Sequence, residues 1–71
     1  MERIAVTSSS VASVGYSADT STLEVGYRNG SVYQYFAVPR SVFEALLGAV
    51  SKGAFASASI RGRYPYRRVE G

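Results

Sequence analysis

The sequence predicts an α+β domain: a three-stranded antiparallel meander, then an amphipathic helix, a second short helix and an extended basic C-terminal arm. Three observations predict it. Residues 22–28 alternate in polarity and are followed by the turn signal Asn29-Gly30 and a second β-like run, SVYQYFAVP, which is the pattern of a hairpin. Apolar residues then recur at three- and four-residue spacing from Val42 to Val50, as on a helix lying against a sheet. Finally, the net charge gathers at the carboxyl end.

The elements follow in order. Residues 11–17, VASVGYS, are β-branched and aromatic in part and form the first strand, closed by the polar turn Ala18 to Ser21. In the second strand Leu23, Val25 and Tyr27 point one way while Thr22, Glu24, Gly26 and Arg28 point the other, so that the strand is half-buried. Residues 31–37 return as the third. Pro39 ends that strand, and Ser41 with Glu44 reads as a capping box for the helix carrying Val42, Phe43, Leu46, Leu47 and Val50. Gly53 offers a left-handed stop. The alanine-rich stretch Ala54 to Ile60, with Phe55 and Ile60 as its large residues, predicts the second helix. Tyr64 precedes Pro65 and is biased toward extended backbone, so RGRYPYRRVEG is expected to run as a polyproline-like arm. The 71 residues make one domain, with a core over residues 8–61 and the arm over 62–71.

The hairpin admits two registers, and they differ in what they do with Tyr33 and Tyr35. With a two-residue turn at Asn29-Gly30, Tyr27 faces Val32, Val25 faces Gln34 and Leu23 faces Phe36. The two tyrosines then share the polar face with Glu24, Gly26 and Arg28, as rings open to a ligand. With a three-residue loop, Arg28-Asn29-Gly30, and Gly30 in a bulge, Val25 faces Tyr33 and Leu23 faces Tyr35. A slip of one residue moves the whole strand to the other face, which makes the tyrosines core and turns Val32, Gln34 and Phe36 outward. The first register buries Gln34 and the second exposes Phe36, so hydrophobic matching barely separates them. A domain this small has few large aromatics to spare, which favours burial.

Composition narrows the chemistry. A 71-residue chain is close to the size at which one core only just outweighs chain entropy, leaving little for a deep active site. With no cysteine and no histidine there is no thiolate nucleophile, imidazole base, disulfide or usual zinc set. Ser8, Ser9 and Ser10 have no base to activate them. Glu24 and Glu44 would need a shared cleft to work as an acid/base pair, and capping already accounts for Glu44. Gly26, Gly30 and Gly53 match no phosphate-loop spacing. No catalytic residue, cofactor or metal is expected. The start MERIAVTSSS has an acid at position 2, its apolar run is too short for a signal-peptide core, and nowhere do about 18 apolar residues run together. A cytoplasmic location with no membrane partner is the expectation.

Charge points to a partner. The formal net charge is +3. Arg3, Arg28, Arg40 and Lys52 are cancelled by Glu2, Asp19, Glu24 and Glu44, so the excess lies wholly in the last eleven residues. There Arg61, Arg63, Arg67 and Arg68 surround Tyr64 and Tyr66. Guanidinium groups fork onto phosphate oxygens, and interleaved rings stack on unpaired bases. The alternative is a solvated basic terminus whose tyrosines pack on the domain edge. Arg40 and Lys52 flank the helix and could extend the basic surface, although isolated surface charges usually serve solubility.

Taken together, SSSVASVGYS, TLEVGYRNGSVYQYFAVPRSVFEALLGAVSKGAF and IRGRY resemble the KTSC domain, which occurs at the C-terminus of some lysyl-tRNA synthetases and as stand-alone small bacterial proteins. The likeness covers residues 8–66. Its central Y-x-Y is Tyr33-Gln34-Tyr35, followed by the Val38-Pro39, Ser51-Lys52-Gly53 and Ile60-Arg61 steps. The resemblance assigns no activity and suggests RNA binding through the company the domain keeps. The expectation is a non-enzymatic module for RNA or single-stranded nucleic acid, with Tyr33, Tyr35, Arg61, Arg63, Tyr64, Tyr66, Arg67 and Arg68 as candidate contacts. The runner-up is a protein-interaction module that uses the open edge of the 31–36 strand or self-association.

Overall fold

Five strands and two helices follow one another as β1 (Ile4–Ala5), β2 (Val11–Ser17), β3 (Thr22–Tyr27), β4 (Val32–Tyr35), α1 (Arg40–Gly48), α2 (Lys52–Ser59) and β5 (Tyr66–Val69) in the computed structural model, which describes residues 1–69. The strands form a single antiparallel sheet in chain order. The α+β class stands, and the expected three-stranded meander is corrected to five strands. β1 is two residues long, too short to show a period. The expected arm becomes an edge strand for a clear reason. Pro65, which has no N–H for the ladder, falls just before β5, and its carbonyl accepts the Phe36 N–H at 2.9 Å. Residues 70–71 of that arm lie outside the described residues.

The hairpin takes the second register. Leu23 pairs with Tyr35 and Val25 with Tyr33. Its turn is the three-residue kind: the Tyr27 N–H donates to the Ser31 carbonyl at 2.8 Å and the Gly30 N–H to the Tyr27 carbonyl at 3.0 Å. Gly30 sits at φ +93°, where a side chain would be strained. The Asn29 Oδ1 accepts both the N–H and the hydroxyl of Ser31, an Asx-type lock on the same turn.

Once this register is set, one face of the sheet is apolar. Val14, Leu23, Val25 and Tyr35 meet Leu46 of α1, Ala56 of α2 and Ile60 beneath the helices, all of them buried. Tyr16 stacks on Phe43, with ring centroids 5.3 Å apart, and its hydroxyl donates to the Val38 carbonyl at 2.6 Å, which ties β2 to α1.

The helix boundaries differ from expectation. α1 starts at Arg40 with Pro39 at its N-cap, in extended backbone and with no side-chain cap, its carbonyl accepting the Val42 N–H at 3.0 Å. Ser41 therefore lies inside the first turn, and Glu44 pairs with Arg40 at 3.2 Å instead of closing a capping box. α1 ends at Gly48, which leaves Val50 fully exposed and outside the apolar stripe. Ser51 caps α2, its Oγ accepting the Ala54 N–H at 3.3 Å. Gly53 is consequently the second residue of α2 and not a stop; a Cβ there would stand 2.8 Å from Ser10 Oγ.

The other sheet face is covered by the amino-terminal segment. A Cβ on Gly26 would lie 2.7 Å from Ser13 Oγ and 3.4 Å from Arg3 Nε, and one on Gly15 would collide with the Glu2 carbonyl. Arg3 thus lies on bare strand. It reaches Glu24, with Nη1 to Oε2 at 2.7 Å, while the Gln34 Nε2 donates to Oε1 at 2.8 Å. Glu24 is 6% exposed, a burial that a carboxylate tolerates because both oxygens are engaged.

Candidate functional site

Cross-strand pairing builds the site. Tyr33 and Tyr35 are two residues apart on β4 and share a face, and β5 sets Tyr66 opposite Tyr35 and Arg68 opposite Tyr33. Tyr27 at the end of β3 completes a cluster of four rings. The Tyr33 and Tyr35 rings stack with centroids 6.3 Å apart, Tyr27 meets Tyr33 edge-on at 5.9 Å, and Tyr66 lies 5.7 Å from Tyr33 and 6.1 Å from Tyr35. Such offset and edge contacts suit the ring quadrupoles.

The rings differ in exposure. Tyr35 is 2% exposed, and its hydroxyl meets that of Tyr27 at 2.9 Å. Burial, helped by that hydroxyl contact, holds the Tyr35 phenol well above the ordinary tyrosine range. At this depth it forms the floor of the cluster and of the cleft above it. Tyr33 is half-buried and Tyr66 is 60% exposed. With Arg61 and Gly62 they line an open cleft of about 300 Å³.

α2 delivers the cation. The N–H groups of Ile60 and Arg61 both donate to the Ala56 carbonyl, and Gly62 turns the chain at φ +78°, a glycine-terminated helix end. This sets the Arg61 guanidinium 5.9 Å above the Tyr27 ring, within cation–π range. Arg61 also adds positive charge where the helix dipole is negative.

The structure therefore divides the expected site residues. Tyr33, Tyr66 and Arg61 come together over Tyr35, with Arg68 on the same face in register. Arg67 pairs with Gln34 and belongs to the opposite face. Arg63 sits exposed in the turn after α2, and Tyr64 packs against the core from its edge. Tyr27 was not foreseen as a member. The signal for it was its alternation with Leu23 and Val25, which carries it to the tyrosine face only in the observed register. Among the described residues the ion pairs are Arg3–Glu24 and Arg40–Glu44, so none of the four arginines of the carboxyl segment is neutralised by a described carboxylate. No group of three metal-ligating side chains occurs among the described residues, and no helix among them is long and apolar enough to cross a membrane.

Comparisons with known proteins span between three-quarters and nearly all of the chain. The family model of the KTSC domain matches residues 7–64. An uncharacterized protein of Stutzerimonas stutzeri is 39% identical over 71 residues, 99% of this chain and 100% of its own length. A lysine–tRNA ligase of Trichormus variabilis is 41% identical over 54 residues, which are 76% of this chain and 10% of the ligase. The crystal structure of a KTSC domain protein from Yersinia pestis matches with a TM-score of 0.92 and 37% identity, over 97% of each chain.

Proposed function

The chain belongs to the KTSC domain family, and we propose that it is a non-enzymatic module that binds RNA or another single-stranded nucleic acid. The observation that carries this reading is the open cleft in which the exposed Tyr66 ring and the half-buried Tyr33 ring stand beside Arg61, with no described carboxylate paired to that arginine. Rings of this kind stack on unpaired bases, each stack contributing about 1–3 kcal/mol, while guanidinium groups follow the phosphates. Similarity to a segment of a lysine–tRNA ligase fits the same company. Tyr35 serves the site by holding Tyr33 and Tyr66 in place. Arg68 extends the cationic surface on that face, whereas Arg63 and Arg67 contribute through general field. A cytoplasmic setting suits this function.

Titration of a labelled single-stranded RNA at several salt concentrations tests the proposal. The logarithm of the affinity should fall against the logarithm of salt with a slope of about 0.7 per neutralised phosphate. No binding at low salt overturns it.

The second reading is a protein-interaction module. β5 closes the edge of β4 that was expected to dock a partner, and is itself a sheet edge. Strand addition there would have to accommodate Arg67 and Arg68, charges of the sort that discourage edge pairing. A concentration-dependent dimer by sedimentation that is lost with Val69→Pro would support it.

A further inference from the structure

A second cleft adjoins the first. It has a volume of about 360 Å³ and shares Tyr33 and Arg61 with the tyrosine cleft. Its remaining wall is more polar: Ser9, Ser10, Arg28, Asn29 and Ser31 line it beside the Tyr27 ring, and no carboxylate among the described residues does. The two charged groups there, Arg28 and Arg61, are both guanidiniums. Arg28 is anchored by its Nε to the Ser8 carbonyl at 2.7 Å and by Nη2 to the Val6 carbonyl at 3.4 Å, which fixes the guanidinium and leaves the rest of its five N–H donors open. Asn29 turns its Oδ1 to Ser31, so its amide N–H groups are the free end. Donors of positive charge with hydroxyls beside them make an anion subsite, and guanidinium matches phosphate best.

We propose that the two clefts are halves of one nucleotide-unit site, the base lying against Tyr33 and Tyr66 and the adjoining phosphate held between Arg28 and Arg61 by the Ser9–Ser10 wall. The inference rests on the nucleic-acid reading above and deepens it, because it names the recognised element as an unpaired base together with its own phosphate. Arg61 divides the clefts and is held there by the Tyr27 ring, so a single guanidinium serves both. The tyrosine cleft is at the small end of ligand pockets, about 300 Å³, which suits one base. Duplexes, whose bases are occupied, bind through phosphate alone.

The test uses NMR on the full chain with three probes: adenosine, inorganic phosphate and a short single-stranded oligonucleotide, as RNA and as DNA. Adenosine should shift the Tyr33 and Tyr66 ring signals and leave the Ser9 and Ser10 amides in place. Phosphate should do the reverse, and the oligonucleotide should shift both sets. Arg61→Ala should weaken the oligonucleotide about tenfold or more, while Arg63→Ala, outside both clefts, changes it by less than about twofold. Arg61→Lys keeps the charge, loses the fork and should fall between. An unchanged melting curve confirms that each variant folds. Oligonucleotide binding with phosphate shifts spread evenly over all arginines, or with Arg63→Ala equal to Arg61→Ala, overturns the two-cleft site and leaves the broader reading standing. A proline-rich peptide that shifts the rings where adenosine does not also overturns it. No oligonucleotide binding at low salt removes both.

Discussion

The two faces of the sheet treat arginine in opposite ways. On the face covered by the amino-terminal segment, Arg3 lies across Gly15 and Gly26 and ends on Glu24, whose other oxygen is held by Gln34. Its charge is satisfied internally, and its role is to hold a segment of chain on the sheet. On the helix-covered face, Arg61 meets an aromatic ring. A ring attracts a cation without cancelling its charge or using up its N–H donors, so the guanidinium stays available. Composition counts both residues alike. The fold separates them by what stands opposite.

The largest expected effect is on the helix-facing side, where Leu23→Ala should cost about 3 kcal/mol in urea unfolding, since Leu23 is buried opposite Tyr35 and its loss leaves a cavity beneath the ring cluster. The tyrosine site should loosen with it. A Leu23→Ala protein with unchanged stability would break the reading of this face as the buried core of the domain.

Next comes the outer face. Glu24→Ala removes the acceptor for both Arg3 and Gln34 and should cost about 2 kcal/mol, moderated because Arg3 can rehydrate. Nucleic-acid affinity should be unchanged or slightly raised by the lost negative charge. A large fall in affinity, beyond what the stability loss explains, would mean that the two faces are not functionally separate.

Alkaline pH sharpens the contrast within the tyrosine cluster. The Tyr35 phenol is held above its unfolded value, near 10, by burial and by the Tyr27 hydroxyl. Its contribution is fully present below pH 10. Above that, the unfolded chain releases the proton while the folded one keeps it, so stability should fall by up to about 1.4 kcal/mol per pH unit. Tyr35→Phe should cost about 1 kcal/mol at neutral pH, through the lost Tyr27 contact, and should flatten the alkaline decline. A decline of the same steepness in Tyr35→Phe, followed by circular dichroism from pH 9 upward, would assign it elsewhere.

The smallest effect is a control for exposed charge. Arg40 and Glu44 form an i,i+4 pair on α1 with side chains about two-thirds exposed, so Glu44→Ala should change stability by no more than about 0.5 kcal/mol. A larger loss would restore the capping role that the structure denies to Glu44.

The site was partly legible for identifiable reasons. Tyr66 and Arg61 stood out because basic and aromatic residues alternate in the carboxyl segment, and a charge imbalance can be read without coordinates. Tyr27 did not, because its membership depends on the register. The Arg3–Glu24 pair joins residues 21 apart and has no local pattern at all. The expected capping box failed although Ser41 and Glu44 have the right spacing, because the helix begins two residues earlier, with Pro39 at the N-cap, and leaves Ser41 inside the first turn.

By itself the sequence determined the alternation of β3, the hairpin that follows it, the helical stripe of α1 and the gathering of charge at the carboxyl end, all of which are set by interactions between near neighbours. The tertiary structure alone decided which of two registers β4 adopts, that β5 joins the sheet and that Arg3 is consumed by Glu24. The physical reason is that each of these choices compares arrangements of nearly equal local energy. A one-residue slip or a free arm costs little until a whole face must be packed, and only the assembled core of Leu23, Val25, Tyr35, Leu46 and Ile60 makes one arrangement lower than the rest.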